Sequence, residues 1–203
     1  MLIQTFVEPP LDNNNYVVLD DAGKEAVLID CSAEDDAIMN FIKEHGATLK
    51  YVLITHGHLD HIMGVRYFQK TYGARVYVSR ADRPLMAKIN EWTAWLGWSP
   101  VPVPDADGVL EEVSDLRLGE EKIHLIPTPG HTPGGVSFLI GNHLFSGDTL
   151  FRGTHGRVDL PGSSADAMQA SLKTLCTLPD DTQVHPGHGA PTTIGAEKTH
   201  YAP

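Results

Sequence analysis

Four side chains able to bind a divalent ion fall within six positions of the segment Thr55-His56-Gly57-His58-Leu59-Asp60-His61. In extended backbone, residues two apart point the same way, so His56 and His58 can share one ion. A helical turn after them can aim Asp60 and His61 at a second. The bland alternative is a polar turn in which Asp60 caps a helix, and four donors in six positions weigh against it. Three further segments add to the set: Pro129-Gly130-His131-Thr132-Pro133-Gly134 offers His131, Ser146-Gly147-Asp148-Thr149 offers Asp148, and Pro186-Gly187-His188-Gly189 offers His188. Singly, each Gly-His or Gly-Asp pair reads as a turn; together, seven donor residues at strand ends point to one shared site. Two divalent ions at such a site lower the pKa of a bound water to roughly 7 or below, which suits carbonyl hydrolysis without a side-chain base. A serine nucleophile is the rival chemistry, but no Gly-x-Ser-x-Gly elbow occurs.

Each donor segment should follow a strand, because functional loops sit on rigid strand ends. The N-terminal stretch from Met1 reads as a first strand. Tyr16 to Asp20 and Glu25 to Asp30 read as a hairpin. A helix capped at Ser32, with apolar positions Ile38, Phe41 and Ile42, should stop at Gly46. Tyr51 to Thr55 is almost entirely apolar, the pattern of a buried strand, and runs directly into His56. One helix is expected from about His61 to Tyr72, with Gly73 as its stop, then a strand from Arg75 to Ser79. The stretch from Arg80 to Pro104 holds Trp92, Trp95 and Trp98 and four of the fourteen prolines; it reads as a helix followed by a long excursion. The tryptophans suit core packing of that excursion, with a lid or an oligomer contact as alternatives. Lys122 to Pro127 is a strand, and Gly135 to Ile140 pairs with His143 to Ser146 across Gly141-Asn142. A last helix spans roughly Ala165 to Leu178, from Ser163 or Ser164, and Gln183 to His185 forms a final short strand. No linker, repeat or low-complexity tract interrupts 1–203, so a single α/β domain is expected.

Composition narrows the partners. Fifteen Lys and Arg against twenty-six Asp and Glu give a formal charge of −11, with no basic run, so neither nucleic acid nor an anionic membrane surface is expected to bind. Only Cys31 and Cys176 occur, which excludes a disulfide framework and fits a reducing cytoplasm. The N-terminus lacks the basic start of a signal peptide, and no apolar run reaches the roughly 20 residues of a membrane span.

The four motifs together resemble the metallo-β-lactamase fold superfamily, and within it the small, single-domain glyoxalase II-like (hydroxyacylglutathione hydrolase-like) branch. The runs Gly147-Asp148-Thr149-Leu150-Phe151-Arg152 and Gly156-Arg157-Val158-Asp159-Leu160-Pro161 carry the likeness to that branch. The resemblance implies a four-layer αββα sandwich with a dinuclear metal site at one edge of the sheets. It implies His56, His58 and His131 at site one, Asp60, His61 and His188 at site two, and Asp148 bridging both, with Asp60 and Asp148 as the catalytic carboxylates. Two divalent ions, zinc with iron or manganese as alternatives, would serve hydrolysis of S-lactoylglutathione or a related thioester. Asp148 stands where the true β-lactamases of this fold place cysteine or serine, and His58 where flavodiiron relatives use glutamate. Only 15 residues follow His188, so the C-terminal helical glutathione-binding domain of glyoxalase II is expected to be missing. Arg152 and Arg157 are the candidate substrate contacts, and Thr55, Arg157 and Asp159 the candidates for orienting ligands. The alternatives are a single-iron persulfide dioxygenase using His56, His58, His131 and Asp148, a hydrolase of another ester or lactone, and a scaffold that has kept the fold. Metal content separates these readings: two ions, one iron, or none.

Overall fold

The structure is a computed structural model and describes residues 1–201. The chain runs β1 (Leu2–Glu8), β2 (Asn13–Leu19), β3 (Glu25–Ile29), α1 (Asp36–Glu44), β4 (Thr48–Leu53), α2 (Leu59–Ile62), α3 (Val65–Tyr72) and β5 (Val76–Val78). It continues through α4 (Arg83–Ala87), α5 (Ile89–Trp95), β6 (Gly108–Val109), β7 (Arg117–Leu118), β8 (Glu121–Pro127), β9 (Val136–Ile140) and β10 (His143–Gly147). It ends with β11 (Leu150–Phe151), β12 (Thr154–His155), α6 (Ala165–Leu175), β13 (Gln183–Pro186), β14 (Thr192–Thr193) and α7 (Ile194–Tyr201).

Two six-stranded mixed sheets result, in the orders β1-β2-β3-β4-β5-β6 and β14-β13-β10-β9-β8-β7. Strand β2 shows why they stack. All seven of its residues are buried, so both its faces are covered. Val17 and Leu19 join Leu28, Val52 and Val76 under Ile38, Ile42 and Phe68 of α1 and α3. The alternate residues Tyr16 and Val18 face the other way, with Ile29 and Leu53, onto Ile123, Phe138 and Phe145 of the second sheet. On the far face of that sheet Leu144 and Val184 meet Met168, Leu172 and Ile194 of α6 and α7. Three apolar seams between four layers make the αββα sandwich, as the motif resemblance implied.

Most expected elements form within a few residues of their predicted places, including the Gly141-Asn142 hairpin, which sets His143 opposite Ile140. Several expectations need correction. Asp35, not Ser32, caps α1, its carboxylate accepting from Ala37 N, while Ser32 is buried and donates to Asn13 and Asn15. The helix expected over His61 to Tyr72 is two helices separated at Gly64. A side chain at Gly64 would stand 2.3 Å from the carbonyl of Ala33 and 2.8 Å from Cys31 Sγ, so only glycine lets the α2–α3 joint press against the loop after β3. Helix α6 ends at Leu175 rather than Leu178, and neither it nor β13 closes the chain, since β14 and α7 follow; the single helix expected after Arg80 is the pair α4 and α5. No helix among the described residues is long and apolar enough to cross a membrane.

Candidate metal centre

The loop after β4 carries His56 and His58, and α2 carries Asp60 and His61; the loop between β8 and β9 carries His131; Asp148 follows β10 and His188 follows β13. All seven emerge on one edge of the sandwich and converge. Donor atoms of His56, His58 and His131 lie within 4.8 Å of one another, as do those of His56, His61 and Asp148, and those of Asp60, His61 and His188. Asp148 stands between the groups: Oδ1 is 3.5 Å from His61 Nε2, and Oδ2 is 3.4 Å from His131 Nε2 and 3.6 Å from His188 Nε2. Its neighbour in space is Gly187, where a Cβ would fall 2.3 Å from Asp148 Oδ1 and 2.9 Å from the His61 ring. A glycine there keeps the turn that carries His188 close enough to join the cluster.

The ring nitrogens show which lone pairs face inward. His131 Nδ1 donates to the carbonyl of Arg157 at 2.8 Å, leaving Nε2 bare and 2.8 Å from His58 Nδ1. His61 Nδ1 donates to Asp30 Oδ2 at 2.7 Å, which leaves Nε2 as the nitrogen facing Asp148. His56 Nε2 and Asp148 Oδ1 are buried with no hydrogen-bond partner. Buried polar atoms left in this state are costly unless a ligand satisfies them, and imidazole with carboxylate is a donor set that fits divalent transition metals.

For His56 and His58 the electrostatics favour the ligating form. Burial pushes His56 well below the usual histidine range, helped by the neighbouring histidines, and brings His58 to about 3. Both rings are therefore neutral at pH 7, the form that ligates. Burial would raise Asp60 and Asp148, but the adjoining His61 and His188 outweigh it and hold both carboxyls below their ordinary value. Burial would lower His61 and His188; for His61 the charges of Asp30, Asp60 and Asp148 prevail, and for His188 the hydrogen bond to Asp60 with the charges of Asp148 and Asp60, so both are raised.

Several supporting residues lie outside the motifs. Asp30 sits at φ 59°, rare for a non-glycine residue, and its carboxylate also accepts from Thr55 N and Oγ1, both at 2.8 Å. Asn13, Asn14 and Asn15 are all buried inside β2. Asn13 Nδ2 lies within 3.0 Å of the His61 ring nitrogens, Asn14 Nδ2 donates to the carbonyls of Pro186 and Gly189 beside His188, and Asn15 accepts from Ser32. Three buried asparagines in a strand defy strand propensity, and that was the signal available in the sequence. Asp82, fully buried, accepts from Gly57 N, Thr132 Oγ1 and Gly134 N, so one carboxylate joins the loops of His56–His61 and His131. Burial raises its pKa against those three hydrogen bonds.

Of the remaining expectations, Thr55 lies beside the candidate ligands, donating to Asp30 Oδ2 and with Oγ1 3.1 Å from His56 Nδ1. Arg157 acts through its backbone carbonyl, whereas its guanidinium is exposed and paired with Asp159. Arg152 faces a separate cleft with Thr193 and His200. Trp92 and Trp98 pack against the core, as expected, while Trp95 projects into solvent.

Residues 9–188 match the model of the metallo-beta-lactamase superfamily. The chain is 32% identical to hydroxyacylglutathione hydrolase GloC of Haemophilus influenzae, over 98% of this chain and 95% of that protein. It is 31% identical to the "probable metallo-hydrolase YqgX" of Bacillus subtilis, over 93% and 90%. Among solved structures, BLEG-1, described as a B3 metallo-beta-lactamase, superimposes with a TM-score of 0.88 at 33% identity, covering 99% of this chain and 98% of that one. TTHA1623 in a di-iron-bound form gives 0.84 at 36% identity, covering 98% of both chains. With four motifs meeting at one sheet edge and a family match over most of its length, the chain belongs to the metallo-beta-lactamase superfamily.

Proposed function

We propose that the protein is a metal-dependent hydrolase of the glyoxalase II type, cleaving S-lactoylglutathione or a related thioester with two divalent ions, zinc by preference. The observation that carries this reading is Asp148, whose two oxygens face His61 on one side and His131 and His188 on the other. His56, His58 and His131 would hold one ion, Asp60, His61 and His188 the other, and Asp148 both. When bound, such a pair supplies Lewis acidity and brings the pKa of water near 7, giving a nucleophile for a carbonyl carbon. The residues of the chain keep the donor set ready. Asp30 accepts from Nδ1 of His61, and the Arg157 carbonyl from Nδ1 of His131, so in each ring Nε2 is the nitrogen turned toward the other donors. Burial keeps His56 and His58 unprotonated at neutral pH. The likeness to GloC supports the thioester reading, and the di-iron-bound relative keeps iron as the alternative metal.

The test is turnover of S-lactoylglutathione by the zinc-loaded and the iron-loaded protein, beside Asp148→Ala, a panel of glutathione-free thioesters and a β-lactam. Thioester hydrolysis that drops at least a hundredfold in Asp148→Ala, with metal content falling from two ions per chain, is the expected result. Silence on every thioester under both metals, or β-lactam cleavage exceeding thioester cleavage, would overturn it.

A further inference from the structure

Beside the histidine cluster lies a groove of about 390 Å³, between α5 and the segment 157–161 that follows β12. That volume lies in the range of sites for small organic ligands. Trp92 and Trp95 line it from the helix, three residues apart and so on one face, and Leu160 and Pro161 line it from the segment. Each side is tied to a different donor residue. The Trp92 ring meets the His58 ring edge to face at 5.5 Å, and the Arg157 carbonyl accepts from His131. A molecule whose carbonyl sits among the donors therefore has this groove as the adjoining space for a substituent.

The groove's character is apolar and acidic. Trp95 is 71% exposed, resting edge to face on Trp92 at 6.1 Å, which leaves a large apolar ring in water. Among the charged residues lining the groove, Glu91 and Asp159 stand against the single cation Arg157. That guanidinium is already engaged by both carboxylate oxygens of Asp159, each at 2.9 Å. Glutathione carries two free carboxylates, and the lining offers them no uncommitted positive charge.

We propose that this groove is the acyl subsite of the hydrolase, and that its substrates are thioesters of apolar acyl groups, alkyl or aryl, whose chain lies against Trp92 and Trp95. The assignment rests on the thioester-hydrolase reading above. Trp95 is the specificity-determining residue, because it contributes the most exposed apolar surface.

Two readouts test this on the metal-loaded protein. The first is kcat/KM for acetyl, butyryl, hexanoyl, octanoyl and benzoyl thioesters of N-acetylcysteamine, an uncharged thiol. The second is binding of the matching S-alkyl thioethers, which cannot be hydrolysed, followed by quenching of tryptophan emission. The expected result is a gain of about threefold per methylene up to hexanoyl, carried by KM, a parallel tightening of thioether binding, and a slope flattened in Trp95→Ala but largely restored in Trp95→Phe. Chain-length-dependent binding without turnover of any thioester would sustain the groove and overturn the hydrolase reading. Turnover with flat dependence on chain length in both readouts, or an unchanged slope in Trp95→Ala, would overturn the groove.

Discussion

Asp30 joins two strains that a structural residue has no reason to combine: a left-handed backbone angle of 59° and a buried carboxylate shared among three donors. Its Oδ2 accepts from His61 Nδ1, and that contact leaves Nε2 as the nitrogen a metal would meet. Asp30→Asn keeps the size and tolerates the backbone angle, but an amide N–H facing Nδ1 would move the imidazole proton to Nε2, where it blocks ligation. The expected outcome is a tenfold to hundredfold loss of affinity for one of two ions, with the His56, His58 and His131 group less affected, read by competition with a chromophoric chelator. Equal affinity at both sites would show that the tautomer is fixed elsewhere. All seven donors were legible in the sequence, because histidine and aspartate at short spacing after strands is a local pattern. Asp30 and Asn13 were not legible as partners of His61, since those contacts join residues 31 and 48 positions apart.

At the scale of elements, the donor loops are joined by packing rather than by their own sequences. Asp82 lies in the turn before α4 and reaches the Gly57 and Gly134 amides and the Thr132 hydroxyl with one carboxylate. Removing it in Asp82→Ala would leave two backbone N–H groups and a hydroxyl buried without an acceptor. At roughly 1–3 kcal/mol for each unsatisfied group, a loss of more than about 2 kcal/mol is expected. A lowered urea midpoint would record it, with weaker metal binding because the His56–His61 loop and the His131 loop lose their tie. A midpoint equal to wild type would show that water satisfies these donors. Elements whose pattern is local were foreseen here, such as the Gly141-Asn142 hairpin and the Ser164 cap of α6, whose hydroxyl accepts from Ala167 N. The break at Gly64 was not, because the reason lies across space in Ala33 and Cys31, and the helical pattern on either side of the glycine is continuous.

For the whole molecule, the seam between the two sheets ends at a second histidine pair, unconnected with ligation. His185 on β13 stacks on Phe145 of β10 at 4.9 Å and meets Tyr16 of β2 edge to face at 5.5 Å, while its Nε2 lies 3.0 Å from His143 Nδ1. The Tyr16 hydroxyl crosses the same seam to donate to the Pro186 carbonyl at 2.7 Å. Burial, reinforced by the nearby His143, pushes His185 down to about 4, against about 6.5 in an unfolded chain. Above pH 6.5 the ring is neutral in both states and its contribution is fully present. Between pH 6.5 and 4 the unfolded chain takes up a proton that the folded ring refuses, so unfolding binds a proton and stability falls as the pH drops. His185→Leu retains the apolar contact with Phe145 and Tyr16 and removes the titration. Urea unfolding of both proteins across this window should show a shallower fall in the variant, by about 1 kcal/mol per pH unit after allowance for the ring's partial exposure. The metal donors are common to both proteins, so their protonation cancels in the difference. Parallel curves would mean that the seam opens to water before the core unfolds, which would place the weakest joint of the sandwich beside the His188 loop.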